Sequence, residues 1–170
     1  MNLKIVQLEK KYDKSNFDCG YVLLDGYIKT QARQDVDRDL SACFVLIDDT
    51  DLIKGYYTLS ANSIKRDSFP ENLSKKLPPS YQDIPTVLLG RLAIDKSLQG
   101  QGYGEIMLID ALKRCYEISE SLGTLAIVVD PIDEKAQRFY ERYGFILLPD
   151  SGKMFLPMKT IQALILTYNF

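Results

Sequence analysis

The chain contains no histidine. That absence excludes histidine general bases, Ser-His-Asp triads and zinc sites that use an imidazole, and no metal site is expected. Cysteine is scarce: Cys19, Cys43 and Cys115 are the three present, and no C-x-x-C pair occurs. An odd number at scattered spacing is not a disulfide framework. Each cysteine sits inside an apolar pattern, so buried free thiols are expected. Net charge is low, −2, which leaves no global basic field to draw nucleic acid or anionic lipid. No apolar run approaches the ~20 residues of a membrane span. The first residues, "MNLKIVQLEKKYDKSNFDCG", lack the apolar centre of a signal peptide. A cytoplasmic protein with no membrane partner is expected.

What is present is ordinary for a globular protein: 170 residues, 46% hydrophobic and 26% charged. That length suits a single domain over 1–170 with a real core. "NLKIVQLE" alternates as a strand, and "FDCGYVLLDGYIKTQARQ" carries Tyr21, Leu24, Ile28 and Ala32 at helical spacing. "ACFVLID" and "LIKGYYTLSA" read as a hairpin joined by the turn at Asp48-Asp49-Thr50-Asp51. Residues 61–85 hold four prolines and many polar groups and read as a surface excursion with a short helix around Glu71 to Leu77. "TVLLGRLAID" is a strand, apolar on both faces except at Arg91. A helix begins near Tyr103, its stripe formed by Leu108, Ala111, Leu112, Cys115, Ile118 and Leu122, with Gly123 as its cap. "TLAIVVD" reads as a buried strand, "DEKAQRFYERY" as a helix capped by Asp133 and stopped by Gly144, and "FILL" with "KMFLPMK" as a closing antiparallel pair. The order gives a mixed α/β domain around one central sheet.

Between the strand at 86–95 and the helix lie Gly100, Gly102 and Gly104. A glycine turn feeding a helix presents main-chain N–H groups and the positive end of the helix dipole, which suits a phosphate. A plain strand-to-helix turn is the alternative. A Walker loop is excluded because no Lys-Ser/Thr pair follows Gly104, and a dinucleotide fingerprint because Glu105 stands where its third glycine belongs.

Gln99-x-x-Gly102-x-Gly104 matches the [Q/R]-x-x-G-x-[G/A] signature of the GNAT N-acetyltransferase superfamily. The strand "LLGRLAID" before it and the later "AQRFYERYGF" strengthen the resemblance, which covers roughly residues 42–158. It implies a GNAT fold, a mixed central sheet with a splayed strand pair and flanking helices. It also implies acetyl-CoA as cosubstrate. The pyrophosphate would lie on Gln99, Gly100, Gln101, Gly102, Tyr103 and Gly104. The pantetheine arm would pair with Leu92, Ala93 and Ile94, and an N–H near Ala93 or Ile94 would meet the developing oxyanion. Tyr140 stands where the family's general acid lies. On residues alone it reads as packing, as Phe139 and Tyr143 do. No general base is evident, Glu105 reads as a solvated first-turn acid, and Arg91 as a contact to substrate or to a carboxylate. Asp133 replaces an asparagine common in the family.

The N-terminal third, with "GYYTLSANSI", the "LP" of the excursion and "LLGRLAID", is similar to the subgroup that includes toxins of toxin–antitoxin pairs. Those proteins acetylate the α-amino group of aminoacyl-tRNA and are held by ribbon-helix-helix antitoxins. The implied partners are an amine acceptor, aminoacyl-tRNA among them, such an antitoxin, and a second copy as homodimer. Net acidity opposes an RNA ligand. Lys65, Arg66, Lys75 and Lys76, with Lys29, Arg33 and Arg38, offer a local basic patch or ordinary solvated charge. Acetylation of aminoacyl-tRNA, acetylation of a small-molecule or protein amine, and a non-catalytic CoA-binding module stay open.

Overall fold

The computed structural model describes residues 1–168; the last two residues of the expected 1–170 domain lie outside them. The elements are β1 Lys4–Gln7, α1 Val22–Thr30, α2 Ala32–Asp37, β2 Ala42–Ile47, β3 Ile53–Lys65, α3 Glu71–Ser74, β4 Asp83–Ile94, α4 Tyr103–Ser119, β5 Ala126–Val129, α5 Glu134–Glu141, β6 Ile146–Leu147, β7 Met154–Pro157 and α6 Met158–Tyr168. The strands form a seven-stranded sheet in the order β1-β2-β3-β4-β5-β7-β6. The pairs β1–β2, β2–β3, β5–β7 and β6–β7 are antiparallel. The fold class agrees with the α/β expectation, and so does the order of the strands.

The chain divides into two compact units, Met1–Ser60 with Leu89–Ala111, and Ala61–Leu88 with the chain from Leu112 on. In the first unit, β2 is buried at all but its first position. That is why its sequence is a continuous apolar run rather than an alternating one. One core gathers Phe17, Tyr27, Ile28, Val45 and Tyr56. Tyr57 is fully buried, stacks on Phe44 at 5.2 Å and donates its hydroxyl to Asp110 of α4 at 2.6 Å. A charge-assisted bond of this kind fastens the helix to the strand.

The second unit is built around Ile64, Phe69, Ile84, Val128, Leu148 and Phe155. Phe69 meets Phe155 edge-on at 5.2 Å. This corrects the reading of residues 61–85 as a surface excursion. β3 continues to Lys65 and β4 begins at Asp83. Phe69 pins the intervening chain to the core, and Arg66 N–H closes its base on the Gln82 carbonyl at 2.9 Å.

Three further expectations change. The first helix breaks at Gln31, whose φ of −123° is not helical, giving α1 and α2. The α4 stripe buries Leu108, Ala111, Leu112 and Cys115, whereas Leu122 is exposed because the helix ends at Ser119. Gly123 does not cap it: its φ is not positive, and the Ile118 carbonyl instead accepts from Ser121 and Leu122 at 3.1 and 3.0 Å. The terminal helix α6 has no counterpart in the elements expected from sequence.

Candidate active site

The glycine turn lies in the first unit. Gly100 and Gly102 have φ of +76° and +86°, a left-handed conformation that side chains with a Cβ adopt at a cost. A Cβ on either would meet no described atom within 4 Å, so their surroundings are open. The first main-chain bond of α4 runs from Ile106 N–H to the Gly102 carbonyl at 3.2 Å. The amides ahead of it therefore have no intrahelical acceptor. Open space, free donors and the N-terminus of a 17-residue helix together suit an anion.

The side chain of Gln99 is turned inward to other work. Its Nε2 donates to the carbonyls of Cys19 and Ile94, both at 2.8 Å. Gln101 Nε2 donates to the Ser97 carbonyl at 3.0 Å. What Gln101 offers a ligand is its main chain, whereas the Gln99 N–H donates to the Lys96 carbonyl at 3.4 Å. Asp95, at the end of β4, caps the short turn Lys96–Leu98 by accepting from Ser97 N–H. Sequence reading missed Asp18, Cys19, Asp95 and Ser97 as supports of this turn. The D-x-S spacing was a local signal for the cap; the contact with residues 18 and 19 had none.

Leu92 and Ile94 are half-buried and Ala93 is buried. A Cβ at Gly55 would stand 3.0 Å from Ile94 Cδ1 and 3.2 Å from the Ala93 carbonyl oxygen, so the absence of a side chain at Gly55 is what lets β3 and β4 approach there. Among the described residues Arg91 pairs with no carboxylate. Its guanidinium lies over the Tyr27 ring, 3.5 Å from the centroid, a cation–π contact. Burial, then the hydrogen bond to Asp35, raises the Tyr27 phenol to about 12, so its ring stays neutral beneath the guanidinium.

Tyr140 belongs to the second unit, on α5. Asp133 caps that helix by accepting from Ala136 N–H at 2.8 Å, as its position predicts. At the other end Gly144, with φ +92°, completes a Schellman motif: Phe145 N–H bonds the Tyr140 carbonyl at 3.3 Å and Gly144 N–H that of Glu141 at 3.0 Å. The same motif brings the Phe145 ring onto Tyr140, 5.2 Å between centroids, and Phe139 flanks it at 5.2 Å. Tyr140 is 7% exposed. Its hydroxyl has no hydrogen-bond partner among the described residues. Burial pushes its phenol well above the usual tyrosine range, so the proton is present at neutral pH.

All three cysteines are buried and free. Burial raises each thiol to about 12, which makes them inert packing rather than nucleophiles. Glu105 is exposed in the first turn of α4. The expected basic patch is partly neutralised, since Lys65 pairs with Asp83 at 2.7 Å, Arg66 with Asp67 at 3.8 Å and Arg33 with Asp37 at 3.4 Å. Lys75 and Lys76 remain exposed. Among the described residues no group of three or more His, Cys, Asp or Glu is placed to hold a metal, and no helix is long and apolar enough to cross a membrane.

Residues 39–147 match the family model of the acetyltransferase (GNAT) domain. The chain belongs to the GNAT acetyltransferases. It is 33% identical over 154 residues, 90% of either chain, to the tRNA-acetylating toxin of Mycobacterium tuberculosis. Among solved structures it resembles AtaT complexed with acetyl-methionyl-tRNAfMet, with a TM-score of 0.89, 33% identity, and coverage of 96% of this chain and 99% of that one. It also resembles a tyrosine-to-phenylalanine mutant of the AtaT toxin bound to the C-terminus of the antitoxin AtaR and acetyl-CoA, with a TM-score of 0.82, 30% identity, and coverage of 98% and 99%.

Proposed function

We propose that this GNAT acetyltransferase moves the acetyl group of acetyl-CoA onto the α-amino group of an aminoacyl-tRNA, as the toxin of a toxin–antitoxin pair. The observation that carries the reading is the near-full-length likeness to AtaT in complex with acetyl-methionyl-tRNAfMet, the species that acetylation of a charged initiator tRNA yields. The whole chain acts as one GNAT domain. It works in the cytoplasm, where its cosubstrate and acceptor are found and where a ribbon-helix-helix antitoxin holds it.

In this reading the main-chain amides of the turn at residues 99–104 bind the CoA pyrophosphate, and the main chain of Leu92, Ala93 and Ile94 pairs with the pantetheine arm. The amine nitrogen attacks the thioester carbon. An N–H near Ala93 or Ile94 meets the oxygen as charge grows on it. The C–N bond forms and the C–S bond breaks, Tyr140 delivers its phenol proton to the departing sulfur, the ammonium proton passes to water, and a proton from water returns to the Tyr140 phenolate to complete the turnover. An ordinary thiol has a pKa of about 8.5 and a phenol of about 10. The burial that raises Tyr140 also penalises a bare thiolate beside it, which favours protonation of the sulfur as it leaves.

The test is to incubate the enzyme with labelled acetyl-CoA and total charged tRNA, and separately with polyamines and small amines. Label is expected on tRNA and released as N-acetyl amino acid on mild alkaline hydrolysis. Label on the polyamines and none on tRNA would overturn the acceptor while leaving the transferase standing.

A further inference from the structure

Asp95 is 9% exposed, and its two oxygens serve two stretches of chain far apart in sequence. Oδ1 accepts from the N–H and hydroxyl of Ser97 at 3.0 and 2.7 Å, which sets the turn leading into the glycines. Oδ2 accepts from the N–H of Asp18 at 3.0 Å, in the stretch leading into α1. That stretch is bonded in return. Lys96 N–H donates to the Asp18 carbonyl at 2.8 Å, Lys96 Nζ stands 3.3 Å from Asp18 Oδ2, and Gln99 reaches the Cys19 carbonyl. Cys19 N–H then donates to Asp25 Oδ1, in the first turn of α1, at 2.8 Å. An unbroken run of hydrogen bonds thus joins the glycine turn to the start of α1.

We propose that Asp95 is a positioning residue coupling the glycine turn to residues 17–25, so that acetyl-CoA seated on the turn also fixes the approach to α1. The proposal rests on the reading that the turn holds acetyl-CoA. Its physical basis is the cost of leaving a buried carboxylate short of donors. Either stretch alone satisfies one oxygen, so the two order together, and a ligand that orders one lowers the entropy cost of ordering the other. Burial alone would raise the Asp95 pKa, but the bonds from Asp18 and Ser97 outweigh it and hold the carboxyl below its usual range, so the acceptor charge is present throughout the neutral range.

Hydrogen exchange read by mass spectrometry on the full chain, with and without CoA, tests this in wild type and Asp95→Asn. The amide has the shape of the carboxylate but can accept on one side only. Without CoA, the variant is expected to exchange faster in both 96–104 and 17–25. With CoA, wild type gains protection in both stretches, whereas the variant gains it at 99–104 alone and binds CoA about 2–10-fold more weakly, the size of a single hydrogen bond. CoA-dependent protection of 17–25 that survives in the variant, or that is missing in wild type while 99–104 is protected, overturns the coupling. If CoA leaves 99–104 unprotected in wild type, the cofactor placement itself is wrong and the coupling falls with it. Gln99→Met, which keeps both Asp95 bonds and removes only the side-chain links of Gln99 to Cys19 and Ile94, covers the case in which Asp95→Asn fails to fold: CoA-driven protection at 17–25 is expected to persist in it, and its loss there would place the coupling on Gln99 and overturn the proposal.

Discussion

Substituting Gly102 separates two effects that a glycine turn usually confounds. A Cβ at φ +86° is strained whether or not a ligand is present, by about 1–2 kcal/mol. At roughly 2–4 °C per kcal/mol for a chain of this size, the melting temperature should fall by about 2–8 °C. This strain is common to the free and bound protein, so it cancels in Kd. The added Cβ meets no described atom within 4 Å. Any loss of affinity must then come from the ligand itself. Gly102→Val, whose branched Cβ would stand where the pyrophosphate approaches, is expected to raise the Kd for CoA by at least about tenfold, or 1.4 kcal/mol. Calorimetric titration of CoA together with a melting curve on each protein reads the two effects apart. A lowered melting temperature with unchanged Kd would show that the strain is real and that the turn does not face the cofactor.

Tyr140→Phe should lower kcat by about 10²–10⁴-fold, the usual range for acid catalysis, with CoA affinity unchanged. It should leave the melting temperature nearly unmoved, because the hydroxyl bonds nothing among the described residues; near-wild-type turnover would make the ring mere packing. Burial raises the Cys19, Cys43 and Cys115 thiols to about 12. The stability they contribute is present below the ordinary thiol pKa of about 8.5 and is lost as pH climbs towards 12. A disulfide reagent at pH 8 should therefore titrate three thiols in denaturant and almost none in the native protein. Lys75→Glu with Lys76→Glu should weaken acetylation of charged tRNA and flatten its salt dependence by about 0.7–0.9 log units for each phosphate no longer engaged, and an unchanged slope would remove these lysines from the RNA surface. Gly26→Ala, in the interior of α1 with no described atom within 4 Å of the new Cβ, should stabilise by about 0.5–1 kcal/mol, seen as a raised melting temperature.

Legibility in the sequence followed the range of the interaction. The turn at Asp48–Asp51 was readable because Asp48 Oδ1 accepts from its own neighbours Thr50 and Leu52. The Asp133 cap and the Gly144 stop were readable for the same reason. The glycine turn was conspicuous because positive φ selects glycine. The extent of β3 was not, because "NSIK" is polar and only Ile64 buries, so the strand past Ala61 depends on pairing rather than pattern. The break at Gln31 has no glycine or proline to announce it. The contact of Arg91 with Tyr27 was not legible, because Tyr27 lies 64 residues earlier in the chain and is an aromatic face rather than a carboxylate. The internal bonds of Gln99 were hidden likewise, since the Cys19 carbonyl it reaches is 80 residues away.

The strand order has a consequence for how the protein is made. β7, near the C-terminal end of the described chain, lies between β5 and β6 and is the antiparallel partner of both. A nascent chain that has not yet emitted Met154 has β5 with an open edge and β6 with no partner strand. The ring of Tyr140 is then present, but the sheet beyond it is unfinished. Domains generally fold as units, so this part of the sheet closes only when Met154–Pro157, which follows both of its neighbours in sequence, takes its place between them.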